Sequence, residues 1–282
     1  VLLVSAPAVP LGDRVIAQAD SVYSTLQVVD YGDFLGLRTN VREGTVHSYL
    51  PKPESGKHFL LYDLFGVPPL VRGGERTLLL GLGAGTLPWL HRQFGQALDI
   101  TAVEIDPKTI ELGYQYFRLG EADNVRIVNE DVRPFLARES GRYDIIEVDL
   151  FQGNGEIPFY VATKEFFELT ARRLTAGGVM AVNIYDPSPD RRIVSPLLNT
   201  ISAVFSYVYF VSAPFGSFFA VASDEAVDAA ALAPRADDPA YFADAIRYFK
   251  DNASRIAHNP RETVFTDDWS PLEKLNYEAF AH

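Results

Sequence analysis

The stretch Thr77-Leu78-Leu79-Leu80-Gly81-Leu82-Gly83-Ala84-Gly85-Thr86 decides the fold. Residues suited to a buried parallel strand run directly into alternate glycines, and Leu87, Leu90 and Phe94 then recur at helical spacing. That succession reads as a strand, a tight turn and the start of a helix. The turn calls for glycine because the backbone must bend sharply and admit a ligand to contact distance, where a Cβ would stand in the way. Pro88 suits the first helical turn, where its missing N–H costs nothing.

Residues 98–103 read as a second strand, ending in Glu104-Ile105-Asp106-Pro107. An acidic residue about 20 positions past the glycines is the spacing at which nucleoside-binding α/β folds hold ribose hydroxyls. A nucleoside site therefore explains this stretch better than a purely structural loop. Further on, strand and helix alternate. A helix is expected to turn Ile110, Tyr114 and Phe117 inward. Residues 125–128 form a third strand closing at Asn129-Glu130-Asp131, and residues 143–148 a fourth closing at Asp149. A helix over residues 163–174 is expected to end in a glycine cap at Ala176-Gly177-Gly178, ahead of a fifth strand over 179–184. Residues 207–211 and 218–221, joined through Pro214-Phe215-Gly216, read as an antiparallel hairpin. Upstream, short runs around Val28, Leu35 and Val46 with Gly, Asp and Asn between them make a small antiparallel sheet. The expected organisation is an N-terminal β domain over residues 1–50, a link with a short helix over 51–75, and a nucleoside-binding catalytic domain over 76–282.

The chain has 282 residues, 48% of them hydrophobic and 12% aromatic, which predicts a well-packed core. A formal charge of -12 argues against a nucleic-acid partner and suits either a cationic substrate or simply a soluble acidic surface. The absence of cysteine removes disulfides and thiolate chemistry, and the five histidines are scattered without ligand spacing, so no metal site is expected. Val1 to Pro10 is apolar but far short of the ~20 residues of a membrane span. It reads as the tail of a membrane segment or signal upstream of Val1, or as an N-terminal strand. The expected location is cytoplasmic, either free or as the soluble part of a membrane-anchored protein.

Ligands of open α/β sheets bind outside the carboxyl ends of the strands. Here successive strands end in Gly81, Glu104, Asp131 and Asp149, so three carboxylates are expected to converge on the glycine turn. Singly, each suits a helix cap; jointly, they suit a site. Glu104 can accept ribose hydroxyls and Asp131 an adenine amino group. Asp149 remains to hold and deprotonate an amine nucleophile.

These residues resemble the spermidine synthase-like aminopropyltransferases, including their membrane-fused relatives. The resemblance rests on Glu43-Gly44-Thr45-Val46-His47-Ser48, Leu79 to Leu87, Val103-Glu104-Ile105-Asp106-Pro107, Asn129-Glu130-Asp131-Val132-Arg133, Tyr143-Asp144-Ile145-Ile146-Glu147-Val148-Asp149, Thr163-Lys164-Glu165-Phe166-Phe167 and Thr266-Asp267-Asp268-Trp269-Ser270-Pro271. It implies a Rossmann-like, class I methyltransferase-type sheet with helices on both faces, preceded by a small antiparallel β domain. It also implies decarboxylated S-adenosylmethionine as donor, a polyamine acceptor, methylthioadenosine as product, and a homodimer. Gly81, Gly83, Gly85, Glu104, Ile105, Asp131, Val132 and His47 would bind the donor. Asp149 would be catalytic, and Asp63 and Gln152 would face the acceptor.

The departures bear on substrate. The family's Gly-Gly-Gly-Asp-Gly has Ala84 at its aspartate. Its Asp-Ser-Ser-Asp-Pro reads Asp149-Leu150-Phe151-Gln152-Gly153, and its Asp-Glu-x-x-Tyr-His-Glu reads Lys57-His58-Phe59-Leu60-Leu61-Tyr62-Asp63. Ala213 replaces the tyrosine before the Pro-x-Gly turn. A methyltransferase using intact S-adenosylmethionine, with Lys57 on the donor carboxylate, and a non-catalytic homologue that keeps the nucleoside pocket are the alternative readings.

Overall fold

The computed structural model describes residues 14–39 and 45–280. The apolar run Val1 to Pro10 and the Glu43-Gly44 portion of the motif noted above lie outside them. Strands β1 (Arg14–Asp20), β2 (Thr25–Asp30), β3 (Phe34–Thr39) and β4 (Val46–Pro51) form a four-stranded antiparallel sheet in the order β1-β2-β3-β4. Then come α1 (Leu60–Asp63), α2 (Val67–Arg72), β5 (Arg76–Leu80), α3 (Thr86–Gln93), β6 (Asp99–Glu104), α4 (Pro107–Tyr116), β7 (Val125–Asn129), α5 (Val132–Arg138) and β8 (Tyr143–Val148). The remainder is α6 (Lys164–Arg173), β9 (Leu174–Tyr185), α7 (Val194–Ser202), β10 (Tyr207–Ala213), β11 (Ser217–Ser223), α8 (Ala240–Asn252), β12 (Ser254–Ile256) and α9 (Leu272–Phe280).

The second sheet has eight strands in the order β12-β10-β11-β9-β8-β5-β6-β7. Strands β5 to β9 pair in parallel, and the β10–β11 hairpin and β12 extend it antiparallel. The chain leaves β5 on one side towards β6 and returns on the other as β8, which opens a crevice at the tip of β5. Alternation along the strands feeds two cores. Leu78, Leu80, Ile146 and Val148 pack with α5, α6 and α7 on one face. Leu79 and Ile145 pack with α1, α3 and α8 on the other. A third cluster, including Leu26, Leu37, Leu112 and Phe117, seats the N-terminal sheet on α4. The stretch read as a link with a short helix is helical across residues 60–72, and its Leu61, Tyr62, Leu64 and Phe65 are buried in the second core.

Local details differ from the sequence reading. Helix α6 stops at Arg173, because Leu174 is already extended and pairs with Tyr143. The next strand pair is Ile145 with Val179, so Gly177 and Gly178 lie in a bulge inside β9 rather than in a helix cap. On α4 the inward positions are Thr109, Leu112 and Gly113, while Tyr114 is exposed. Gly113 lies where a Cβ would come within 2.9 Å of the Ala84 carbonyl, so close approach to the glycine turn, not residue bulk, sets that face. In the C-terminal motif Trp269 is exposed; Asp267 makes the attachment, through Arg133 and Thr163.

Candidate active site

The tips of β7, β6, β5 and β8 form a row of three steps of about 4.8 Å, and a cavity of about 240 Å³ runs along it beneath the N-terminal sheet. Gly81, Gly83, Glu104, Ile105, Asp131, Val132, Asp149, Gln152 and His47 all line it. Gly85 and Asp63 do not. Gly85 precedes α3 with its open face against Leu119. Asp63 is buried behind the cavity wall, 3.7 Å from His58, which stacks on Tyr241. Burial raises the Asp63 carboxyl to about 6.

Two glycines in the turn are required by their surroundings. Gly81 has φ +92°, and a Cβ there would lie 2.2 Å from the Asp149 carbonyl oxygen. Gly83 has φ +54°, and its Cβ would meet Ser48 Oγ at 2.5 Å. That crowding is how the N-terminal sheet docks. Ala84 N–H donates to Ser48 Oγ at 2.9 Å, and Thr86 Oγ1 exchanges hydrogen bonds with both backbone groups of Tyr49.

Glu104 ties the turn to its own strand. It accepts from Gly83 N–H and from Asp106 N–H, each at 2.9 Å. Burial nevertheless pushes the carboxyl up to about 7, against the lowering effect of those backbone donors. Each carboxylate oxygen has more than one acceptor site, so hydroxyl donors from the cavity can still be taken. Asp131 caps α5 through Arg133 N–H at 2.8 Å. Tyr160 stands beside it, its phenol raised first by burial and then by the Asp131 charge. Asp149 is held at the other end, its N–H on Leu80 and its Oδ1 accepting from Asn183 Nδ2 at 2.9 Å.

The loop after β8 closes the cavity from above, and the N-terminal sheet holds it by its carbonyls. Thr39 Oγ1 donates to Gly153 O at 2.7 Å, Thr45 Oγ1 to Asn154 O at 2.6 Å, and His47 Nε2 to Gly153 O at 3.2 Å. Burial depresses His47 to about 4, so it is neutral at pH 7 and donates as the Nε2–H tautomer. Tyr23, Tyr62 and Tyr160 also line the cavity and were missed in the sequence. Tyr62 lay unrecognised within the quoted motif, and the other two sit in irregular segments with no pattern to mark them.

The charges are one-sided. Among the described lining residues the carboxylates are Glu104, Asp106, Asp131 and Asp149, and there is no lysine or arginine. Lys57 is exposed over the Phe59 ring, outside the lining. Ala84 is fully buried with Leu112 and Phe117, leaving no room for a longer side chain at the position of the family aspartate. Among the described residues no three His, Cys, Asp or Glu side chains are grouped to hold a metal ion, and no helix is long and apolar enough to cross a membrane.

The Spermine/spermidine synthase domain model matches residues 82–220. A probable polyamine aminopropyl transferase of Bifidobacterium longum is 35% identical over 67% of this chain and 42% of its own length. A polyamine aminopropyltransferase of Vibrio vulnificus is 28% identical over 62% of this chain and 60% of its own. The chain thus spans less than two thirds of the length of either relative. A probable spermidine synthase from Corynebacterium glutamicum superposes with a TM-score of 0.67 at 20% identity, covering 91% of this chain and 98% of that one, and so shares the fold. The matched domain, the order of the motifs and the sheet topology together identify residues 82–220 of this chain as a spermine/spermidine synthase domain.

Proposed function

We propose that the protein transfers an aminopropyl group from decarboxylated S-adenosylmethionine to an amine, releasing methylthioadenosine. The observation that carries this reading is the row of Asp131, Glu104 and Asp149 along one cavity, broken only by the glycine turn. In this reading Glu104 accepts the ribose hydroxyls, Asp131 accepts from the adenine amino group, and Ile105 and Val132 face the purine. Gly81 and Gly83 form the turn the donor lies against, packed so closely on Asp149 and Ser48 that no Cβ fits, and His47 acts through the loop it holds. Gln152 stands at the acceptor rim. Gly85 and Asp63 lie outside the lining and make no proposed contact.

The donor is a sulfonium, and its reactive carbon is attacked in line by a neutral amine. The protein's share is orientation and removal of one proton, which Asp149 receives at its carboxylate. A cationic donor without a carboxylate suits a lining with four acids and, among the described residues, no lysine or arginine. The same charge distribution disfavours the intact donor of a methyltransferase, because Lys57 stands outside the cavity. A homodimer and a cytoplasmic location complete the proposal.

The test is methylthioadenosine release from the decarboxylated donor across a panel of amines. Release that depends on the amine, and that falls about 10²- to 10⁴-fold in Asp149→Asn, is expected. Silence across the panel would remove the proposal.

A further inference from the structure

We infer that the acceptor is a monoamine with an uncharged, apolar tail rather than a diamine or polyamine. The inference rests on the aminopropyl-transfer reading and specifies its substrate class. It follows from how the cavity's charges are distributed about Asp149.

Glu104 and Asp131 lie over β6 and β7, on the nucleoside side of the glycine turn, and Asp106 on that side caps α4 through Lys108 N–H at 2.9 Å. Across the turn, over β8, Asp149 is the one acid among the described lining residues. Leu150 and Phe151 follow it directly at the tip of β8, and Leu87 and Tyr62 line the same cavity. Leu150 reaches back over the turn, its Cδ2 lying 3.1 Å from where a Gly81 Cβ would be. Gln152, at the exposed rim, presents a neutral amide. The nearby acids are committed elsewhere, Glu156 of the covering loop to Asn154 N–H at 2.8 Å. Asp186 accepts from Ser188, Ile193 and Val194 N–H groups at the start of α7. Asp63 faces His58 outside the lining.

An ammonium taken out of water needs a paired charge. One acid serves one nitrogen, the reacting one. That nitrogen's lone pair forms the new C–N bond, the C–S bond breaks with its pair passing to sulfur, and the proton displaced from nitrogen goes to Asp149 and on to solvent. Nothing among the described lining residues balances a second ammonium beyond it, whereas Leu150, Phe151 and Leu87 offer a methylene chain a wall to pack on.

The comparison that tests this uses n-pentylamine and 1,4-diaminobutane, which match in length and differ in a terminal methyl against a terminal ammonium. Methylthioadenosine release with the decarboxylated donor should show kcat/KM at least about tenfold higher for n-pentylamine. In Gln152→Asp, which adds an acid at the rim, the ratio should shift about tenfold towards the diamine. Equal or better use of the diamine by the unaltered protein overturns the inference while leaving aminopropyl transfer intact. An unmoved ratio in Gln152→Asp overturns the charge argument. No release with either amine, or with any other amine, removes the transfer reading and the inference together.

Discussion

Glu104 joins two demands in one carboxyl group. It holds the Gly83 and Asp106 N–H groups, which favours the anion, and it is enclosed enough to rest near pH 7. Below that pH the carboxyl is protonated, and a ribose hydroxyl loses its anionic acceptor. Binding methylthioadenosine should therefore release a proton. Affinity should rise as pH increases towards about 7 and flatten above it. Calorimetry in buffers of differing ionisation enthalpy checks this, and Glu104→Gln should abolish the pH dependence and weaken binding by ~1.5–3 kcal/mol. An unchanged pH profile in that variant would assign the titration to another group. Glu104, Asp131 and Asp149 were legible in the sequence because each lies at the end of a strand or within two residues of it, and strand tips in a parallel sheet share one edge. Tyr23 and Tyr160 were not, since only the docking of a distant sheet and an irregular loop brings them to the cavity.

At the scale of elements, α3 and β8 are joined by a buried ion pair with no part in the site. His91 Nε2 lies 3.0 Å from Glu147 Oε1, its Nδ1 lies 2.7 Å from Gln96 Oε1, and both charged side chains are almost wholly enclosed. Burial alone would lower the His91 pKa, but the Glu147 charge and the hydrogen bonds of Glu147 and Gln96 outweigh it and hold it above its ordinary 6.5. Because the folded value is raised, the pair's contribution to stability is complete below about pH 6.5 and is lost as pH rises through the folded pKa. Denaturant melts against pH should show that decline, and His91→Ala should remove it at a cost of about 3–5 kcal/mol. A melt profile that keeps its slope in His91→Ala would place the titration elsewhere. The pair was invisible in the sequence. Glu147 sits between Ile146 and Val148 in β8, and only the packing of α3 across β8 supplies its partner. The bulge at Gly177 was misread for a related reason, because a glycine pair after a helix looks the same whether it ends the helix or relieves a strand.

At the scale of the whole molecule, the N-terminal sheet completes the cavity instead of standing apart. Its strand β4 lies on the glycine turn through Ser48 and Tyr49, and Thr39, Thr45 and His47 hold the loop that covers Asp149. The sheet's existence could be read from short β-like runs, and the α/β alternation from the glycine turn onward. Its seat could not, because Ser48 against Gly83 is a contact that spacing along the chain does not encode. The proposed chemistry requires one placement, a nucleoside lying along the tips of β7, β6, β5 and β8 with its sulfur towards Asp149. A crystal structure with methylthioadenosine tests that most directly. It should show both ribose hydroxyls within about 3 Å of Glu104, the purine between Ile105 and Val132 with its amino group on Asp131, and the sulfur facing Asp149. A nucleoside bound away from Glu104, or one with its sulfur turned from Asp149, would contradict the account.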